Sequence, residues 1–561
     1  MTTTETSHEV EGKEPSDGRR RWVAFGALIL AVFMDMLDGN VVSVAIPSIQ
    51  RTLQASYTDV QWMTAGYVLA FAVVLVTGGR LGDIYGRKRV FQIGLAGFAL
   101  ASLLCGLAVD PAMLIGSRVA QGLMAGLMVP QVLSILHVTF VGAERAKAFA
   151  ILGIVGGLAA TVAPLIGGVV VQLDLFGLSW RPVFLMNVVI AGAALIVGGR
   201  HITDSTADRR PRLDLVGMLL SAAVLLLVLV PLTLGHDLGW PAWCTVSVIA
   251  AALLAVVFVA HQRRLRRSGS TPLLALELFS ARSYVAGNLL NLAVYTFIGM
   301  FFLAWYLFMQ IGLGWGPLHA GLTALAFCIG AFITSALSVT VLIQKFGRAV
   351  LQVGAVVIAA GIGLFLWVLQ AQGSDIGTWG MVLPLLLVGL GFGLVAPPIA
   401  VFALVDVPQD DAGSASGVIN TTQQLGFAVG IALVSLTFLA PLGAGTADVA
   451  ERLAPGVGTE LVAVGLPDAR AEAFVASVRA CAADRAAEPT TTCGADAELD
   501  ALPQTADVLS RFRTDLHEQT FVGAFQWALV AALVLSAVVL VLTFVLPRRL
   551  AAEQAAVPTT S

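Results

Sequence analysis

The chain has 561 residues, 58% of them hydrophobic and 12% charged, with 57 glycines, a net charge of −3 and a mean hydropathy of +0.88. Soluble domains run at about 45–50% apolar residues with glycine included, and about 25% charged, so this chain carries more apolar surface than a soluble core can hide. That excludes a soluble enzyme or a disordered protein, the charge balance excludes a broad nucleic-acid-binding face, and five cysteines exclude a disulfide scaffold.

The first 21 residues are polar. Apolar runs of about 20 residues or more then recur, long enough for a helix to cross a hydrocarbon core of about 30 Å. They centre on 22–48, 60–80, 89–109, 111–139, 145–172, 181–199, 213–235, 241–262, 284–311, 317–344, 349–371, 379–405, 413–441 and 520–546. Strand-like alternation is absent, which argues against a membrane barrel. The first run is too long for a signal-peptide core and is expected to remain as a spanning helix. Alternation from an inner N-terminus puts 23 of the 32 Lys and Arg in inner segments and eight outside, six of those in 442–518, with Arg118 inside a span. That asymmetry predicts both termini inside, and an odd number of spans would scramble it. Only four of these residues are Lys, and Ala, Gly and Val abound, a composition suggesting a GC-rich bacterial genome.

Asp83-Ile84-Tyr85-Gly86-Arg87 follows the second span, and Gln344-Lys345-Phe346-Gly347-Arg348 echoes it 261 residues later, after the tenth. The offset fits two six-helix repeats with two extra helices between them. Repeats of this kind are typical of secondary transporters, whose substrate site lies at the midplane between the halves.

The segment Gly79-Arg80-Leu81-Gly82-Asp83-Ile84-Tyr85-Gly86-Arg87-Lys88-Arg89 joins spans 2 and 3. Its glycines allow a tight turn and close helix approach. Asp83 can pair with a base or cap a neighbouring helix. This segment resembles motif A of the major facilitator superfamily. Leu37–Pro47 resembles motif D1 of the fourteen-span drug:proton antiporter family, Arg118-Val119-Ala120-Gln121-Gly122 its motif B, and Ala163-Pro164-Leu165-Ile166-Gly167-Gly168 its motif C. Motif C usually has Gly where Ala159 and Ala163 stand. Trp180-Arg181 with Phe184 and Asn187, Asp214-Leu215-Val216-Gly217, and Gly413–Gly430 with Asn420, Gln423 and Gln424 are also similar to that family. The resemblance runs from about Met34 to about residue 440, plus the last helix.

Charges inside a membrane are costly and mark function by default. Asp35 and Asp38 are spaced i,i+3, which puts them on one face of span 1. Burial and a like charge together let such a pair hold a proton and release it when water enters. The resemblance puts the family's acidic residue on Asp38 and implies a proton-transfer role for Arg118; the bland reading is an ion pair locking spans 1 and 4. Gly79, Asp83, Gly86, Arg87, Pro164, Gly167 and Gly168 are expected to govern conformational change. Asn291, Gln310, Asn420 and Gln424 are candidate substrate contacts, or interhelical hydrogen bonds. Trp305 and Tyr306, with Phe301, Phe302 and Phe308, read as an aromatic belt at the outer interface before a drug-stacking surface. His137 and His319 read as interfacial bystanders. No metal cluster, catalytic motif or phosphate loop is legible, so an ion gradient must supply the energy.

The expected fold is an all-α integral membrane protein of the major facilitator type, with fourteen transmembrane helices. Its parts are an inner tail 1–21, a six-helix bundle 22–200, two inserted helices 201–282, five helices of the second bundle 283–441, an outer loop 442–518, the last helix 519–547 and an inner tail 548–561. The outer loop holds 13 Asp and Glu against six Arg, and Cys481 and Cys493 are expected to form a disulfide there. Cys105, Cys244 and Cys328 read as small apolar residues. The expected function is proton-coupled efflux of small amphipathic organic compounds, such as antibiotics, dyes or self-made metabolites, across a bacterial cytoplasmic membrane. The chain would act as a monomer, without an enzymatic activity, a cofactor or a nucleic-acid partner; its partners would be the substrate, the proton and the lipid. A proton symporter for a small organic solute and a non-transporting sensor or scaffold are the alternatives. The motif C resemblance argues against the first and the intramembrane charges against the second.

Overall fold

The computed structural model describes residues 15–548 apart from 56, 175–176, 207–213, 236–239, 269–272, 275, 409–410 and 485–502. Among these, a helix stands at each of the fourteen expected spans. They are α1 (Pro15–Leu53), α2 (Tyr57–Tyr85), α3 (Arg87–Gly106), α4 (Pro111–Thr139), α5 (Gly142–Gln172), α6 (Pro182–His201), α7 (Leu215–Leu234), α8 (Ala242–Arg267), α9 (Arg282–Leu307), α10 (Pro317–Leu337), α11 (Ala349–Gln372), α12 (Thr378–Leu404), α13 (Ala412–Val434) and, last, α16 (Pro503–Thr543). Thirteen described helices are long and apolar enough to cross a membrane, and the 31-residue α5 fills the remaining place. Helix is what the solvent dictates: in lipid, each backbone N–H and C=O must find its partner within the segment.

Two halves repeat one architecture. In the first, α2 and α4 meet through Gly78, Gly122 and Gly126, where an added Cβ would run into the opposite backbone. In the second, α10 and α12 meet in the same way through Gly330, Gly389 and Gly393. The turns agree too. The Arg87 backbone N–H donates to Ser205 O at 3.0 Å, just beyond α6. Arg348 Nη1 donates to Phe544 O and Leu546 O, each at 2.8 Å, just beyond α16. Gly86 at φ 102° and Gly347 at φ 57° allow these turns. Because lipid offers helices no hydrophobic reason to associate, this close packing carries much of the fold. Gly389→Val is therefore expected to cost about 1–3 kcal/mol by overpacking. Gly363→Ala, whose added methyl would enter open space, is expected to be neutral. Thermal unfolding in detergent reads both.

The halves close on one another at the end that carries these turns, called here the basic end. The apolar core of the first half continues there into Leu404, Val407, Ala415 and Val418 of the second, and Ser134 Oγ lies 2.7 Å from Ser416 Oγ. The extra pair α7 and α8 is pinned by Asp214, which caps α7 through Gly217 N at 2.8 Å and accepts from Gln262 Nε2 at 2.7 Å. Leu229 of α7 packs against Ala65, Leu69 and Ala72 of α2 and Ala428 of α13, so the insert covers a seam between the halves.

The segment 442–518 differs from the expected loop. A π turn at Ser435–Leu439 carries α13 on into α14 (Ala440–Ala463); α15 (Asp468–Asp484) follows, and α16 begins at Pro503, well before the last span. The three enclose an apolar core of their own that includes Val449, Leu461, Phe474, Val478, Leu509, Phe512 and Leu516. Alanine favours helix, and the spacings Ala471, Phe474, Val478 and Leu509, Phe512, Leu516 place one apolar stripe on each helix. The side chain of Cys481, on α15, and the whole of Cys493 lie outside the described residues, while Cys105, Cys244 and Cys328 are buried.

Candidate functional site

Both intramembrane carboxylates of α1 are buried, Asp38 at 0% exposure and Asp35 at 3%. They do not share a partner. The Arg118 guanidinium reaches across from α4 and donates through Nη1 to Asp38 Oδ2. Asp38 Oδ1 accepts from Gln121 Nε2 at 2.9 Å and from Asn187 Nδ2 at 2.7 Å. Arg118 also donates to Gln121 Oε1 at 2.7 Å and, through Nε, to Met63 O at 3.2 Å. Ser102 Oγ accepts from Gln121 at 2.6 Å and from Asn187 at 3.3 Å. Five helices, α1, α2, α3, α4 and α6, therefore converge on one ion pair. A buried charge is tolerated only when paired and hydrogen-bonded, and Asp38 meets that condition with donors on both oxygens.

Asp35 stands apart. Among the described residues, its one hydrogen bond is from the Tyr67 hydroxyl of α2, to Oδ1 at 2.7 Å. The Tyr67 ring in turn lies under the Arg118 guanidinium, 4.2 Å from Cζ to ring centroid. This contact is a cation–π interaction in a desolvated place, where it is strongest. Tyr67 thus links the Asp35 carboxyl to the Asp38–Arg118 pair without either acid touching the other. Sequence reasoning does not single out Tyr67 or Ser102, and it meets Gln121 and Asn187 only inside longer motifs. Uncharged polar residues are common enough in spanning helices to give little signal alone.

The basic end holds the expected gating residues of the α2–α3 turn. Asp83 accepts from Arg87 Nη2 at 2.9 Å and from Ser414 N, at the start of α13, at 3.3 Å. Its carboxylate therefore faces the positive end of a helix belonging to the other half. Arg80 and Asp411 repeat the cross-half pairing at 3.9 Å. Gly79 is buried beside them, and a Cβ at Gly86 would meet the Asp204 carboxylate at 2.6 Å. In α5, Gly167, Ala159 and Ala163 are buried and keep a small-residue face; Pro164 and Gly168 are placed on the same helix by their backbone alone.

The candidate substrate residues divide. Asn291 Nδ2 donates to Ile419 O at 2.9 Å, and Asn420 Nδ2 to Ser416 O in its own helix at 2.9 Å; both amides serve helix packing. Gln424 is half-buried on α13. Gln310, in the π turn Phe308–Gly312 that ends α9, has a buried Nε2 with no hydrogen-bond partner. Of the aromatic residues expected to form an interfacial belt, three face inward, while Phe302 and Tyr306 are half-buried. Phe301, Trp305 and Phe308 are at most 2% exposed, because they pack inward onto α10, α12 and α16. Phe302 meets Trp305, with centroids 5.8 Å apart, and Phe327 at 4.9 Å, and Phe327 meets Phe392 at 5.5 Å. Trp305 Nε1 is buried and has no acceptor. His137 is buried as well, at 4% exposure, rather than interfacial. His319 is exposed; it stacks on Trp315 and pairs with Thr378 Oγ1 at 2.6 Å.

A sequence profile described as the Major Facilitator Superfamily matches residues 28–431. The chain is 38% identical over 537 residues to a protein of Streptomyces coelicolor named a probable actinorhodin transporter, covering 95% of this chain and 93% of that one. A tetracenomycin C resistance and export protein of Streptomyces glaucescens is 34% identical over 79% of this chain and 81% of its own. A puromycin resistance protein of Streptomyces alboniger is 32% identical over 78% and 85%. Among solved structures, the proton:xylose symporter XylE superposes with a TM-score of 0.52 at 15% identity, over 75% of this chain and 89% of that one, a likeness of fold alone.

Proposed function

The chain belongs to the Major Facilitator Superfamily, and from that membership we propose that it is a proton-driven exporter of small amphipathic organic compounds. The observation that carries the reading is the Asp38–Arg118 pair, 0% and 1% exposed among apolar helices, with a second carboxyl one turn away. Such a cluster is far too costly in lipid to keep for packing alone. Relatives named for the export of, or resistance to, organic antibiotics support a substrate of that class. So do the Phe302, Phe327 and Phe392 rings of the second half, beside a Trp305 N–H that lacks an acceptor, and the Gln310 amide of the same half, whose Nε2 also lacks one. Rings stack a flat molecule, and free donors suit its carbonyl or hydroxyl oxygens.

The excess of Lys and Arg at the basic end supports its lying on the cytoplasmic side of a bacterial membrane. With that end closed, the cycle begins open to the outside. A proton enters the α1 site, the halves rock, the proton leaves inward, and substrate takes its place for export. One chain makes the transport unit. Ethidium efflux from pump-deficient bacteria expressing the protein tests this reading. Efflux is expected to be fast and to collapse when a protonophore is added. Efflux that ignores the protonophore would overturn proton coupling, and proton-driven ethidium accumulation would overturn export.

A further inference from the structure

We propose that the two acids of α1 have separate duties: Asp35, held by Tyr67, is the carboxyl that gains and loses the transported proton, while Asp38 stays ionised against Arg118. The inference rests on the exporter reading above and assigns the proton within it.

The argument starts from partners. Asp38 accepts from three side chains, and one of them is a guanidinium. Adding a proton to Asp38 would displace at least one of these donors and leave Arg118 as an uncompensated cation, 1% exposed, in an apolar interior. That is the costliest arrangement available at this site. Among the described residues Asp35 has a single donor, the Tyr67 hydroxyl at 2.7 Å. A hydroxyl both donates and accepts. When Asp35 is a carboxylate, Tyr67 O–H donates to it. When Asp35 takes a proton, the new carboxyl O–H donates to the Tyr67 oxygen, whose own hydrogen rotates away. One O–H bond forms or breaks on Asp35, and the hydrogen bond persists in both states. The site is therefore built to accept either charge state at Asp35 and only one at Asp38.

The surroundings agree. The ionisable groups facing Asp35 are Tyr67 from α2, Asp38 on its own helix and Arg118 from α4; Cys105 of α3 adjoins the Asp38–Arg118 pair through Gln121 Oε1, at 3.7 Å. The ionisable residues of α5, which packs along α1, are Glu144, Arg145 and Lys147 in its first two turns, away from this depth, and those of α6 are at its last turn. Through the Tyr67 ring, Arg118 senses the charge on Asp35 without bonding to it. Tyr67 is thus a positioning residue between the titrating acid and the fixed ion pair.

Infrared difference spectroscopy of the full chain in lipid vesicles, titrated across the physiological pH range, tests the assignment without any substrate. The wild-type protein is expected to show a protonated-carboxyl C=O band that titrates. Asp35→Asn, which is isosteric with the protonated acid, is expected to remove this band, and Asp38→Asn to keep it. Tyr67→Phe is expected to displace the midpoint by about one pH unit, the size of one hydrogen bond to a charged group. A merely structural tyrosine would change protein yield and leave the midpoint in place. A band that survives Asp35→Asn and vanishes in Asp38→Asn would invert the roles, and no difference between wild type and Asp35→Asn would end the proposal. If the band behaves as expected while efflux ignores the proton gradient, the assignment stands and the exporter reading fails.

Discussion

Arg118→Ala is expected to abolish export and to destabilise the protein at the same time. The substitution leaves the Asp38 carboxylate at 0% exposure with amide donors only, and breaking a buried pair from one side costs about 3–5 kcal/mol. It also frees the Met63 carbonyl and uncovers the face of Tyr67, so α2 loses its tie to α4 at the level where the acids sit. Asp38→Asn is expected to cost a similar amount for the converse reason, an unpaired guanidinium. The informative variant is the double substitution Asp38→Asn with Arg118→Leu. It removes both charges and is expected to melt in detergent closer to wild type than either single variant, while ethidium efflux stays absent. If the two single losses simply add in the double variant, the residues are not energetically coupled and the site is not the unit described here.

Asp83→Ala is expected to open the basic end. Asp83 is fully buried and holds Arg87 on one side and the Ser414 backbone N–H, at the start of α13, on the other. Loss of these charge-assisted bonds is worth about 1–3 kcal/mol against the closed state, which changes its population by roughly 5–150-fold. A cysteine placed at Ser134, which touches Ser416 of the other half and is 0% exposed, reports the change in a background free of other cysteines. Its labelling by a hydrophilic thiol reagent added to inside-out vesicles is expected to accelerate in the Asp83→Ala protein, and transport to fall at least about fivefold, the population lost. Unchanged labelling would mean that the apolar contacts of Leu404, Val407 and Ala415 hold this end shut by themselves.

The spans were legible because helices bathed in lipid are apolar on nearly all faces, and their polar connections stand out. Asp38 and Arg118 were legible for the opposite reason, as charges where none belong. The 261-residue echo at Gly347 and Arg348 was equally readable, because a turn that seizes the end of a neighbouring helix needs a glycine with positive φ and an arginine beside it. What the sequence hid were groups whose meaning is relational. Tyr67 is one tyrosine in an apolar helix until Asp35 and Arg118 are placed on either side of it. Asn291 and Gln310 look alike in sequence, yet one amide is spent on Ile419 and the other lacks an acceptor. The helices of 442–518 were obscured by an acidic, Ala-rich composition that reads as solvated chain. The signal was there in the spacing of Phe474 and Val478 and of Phe512 and Leu516.

The α16 helix, 41 residues from Pro503 to Thr543, is about 60 Å long at 1.5 Å per residue. A hydrocarbon core takes up about 30 Å of it, and the remaining half rises beside α14 and α15. Since α13 enters α14 through the π turn at Ser435–Leu439, the second half is fastened to this helical cap by two stiff rods. A rigid-body turn of about 15° within the bilayer, a usual scale for such switches, becomes a sweep of about 8 Å at the far end of a 30 Å arm. The cap is in effect a pointer: it multiplies a small angular change in the membrane into a displacement at the surface. By reciprocity, any grip on that pointer acts as a brake on the engine below.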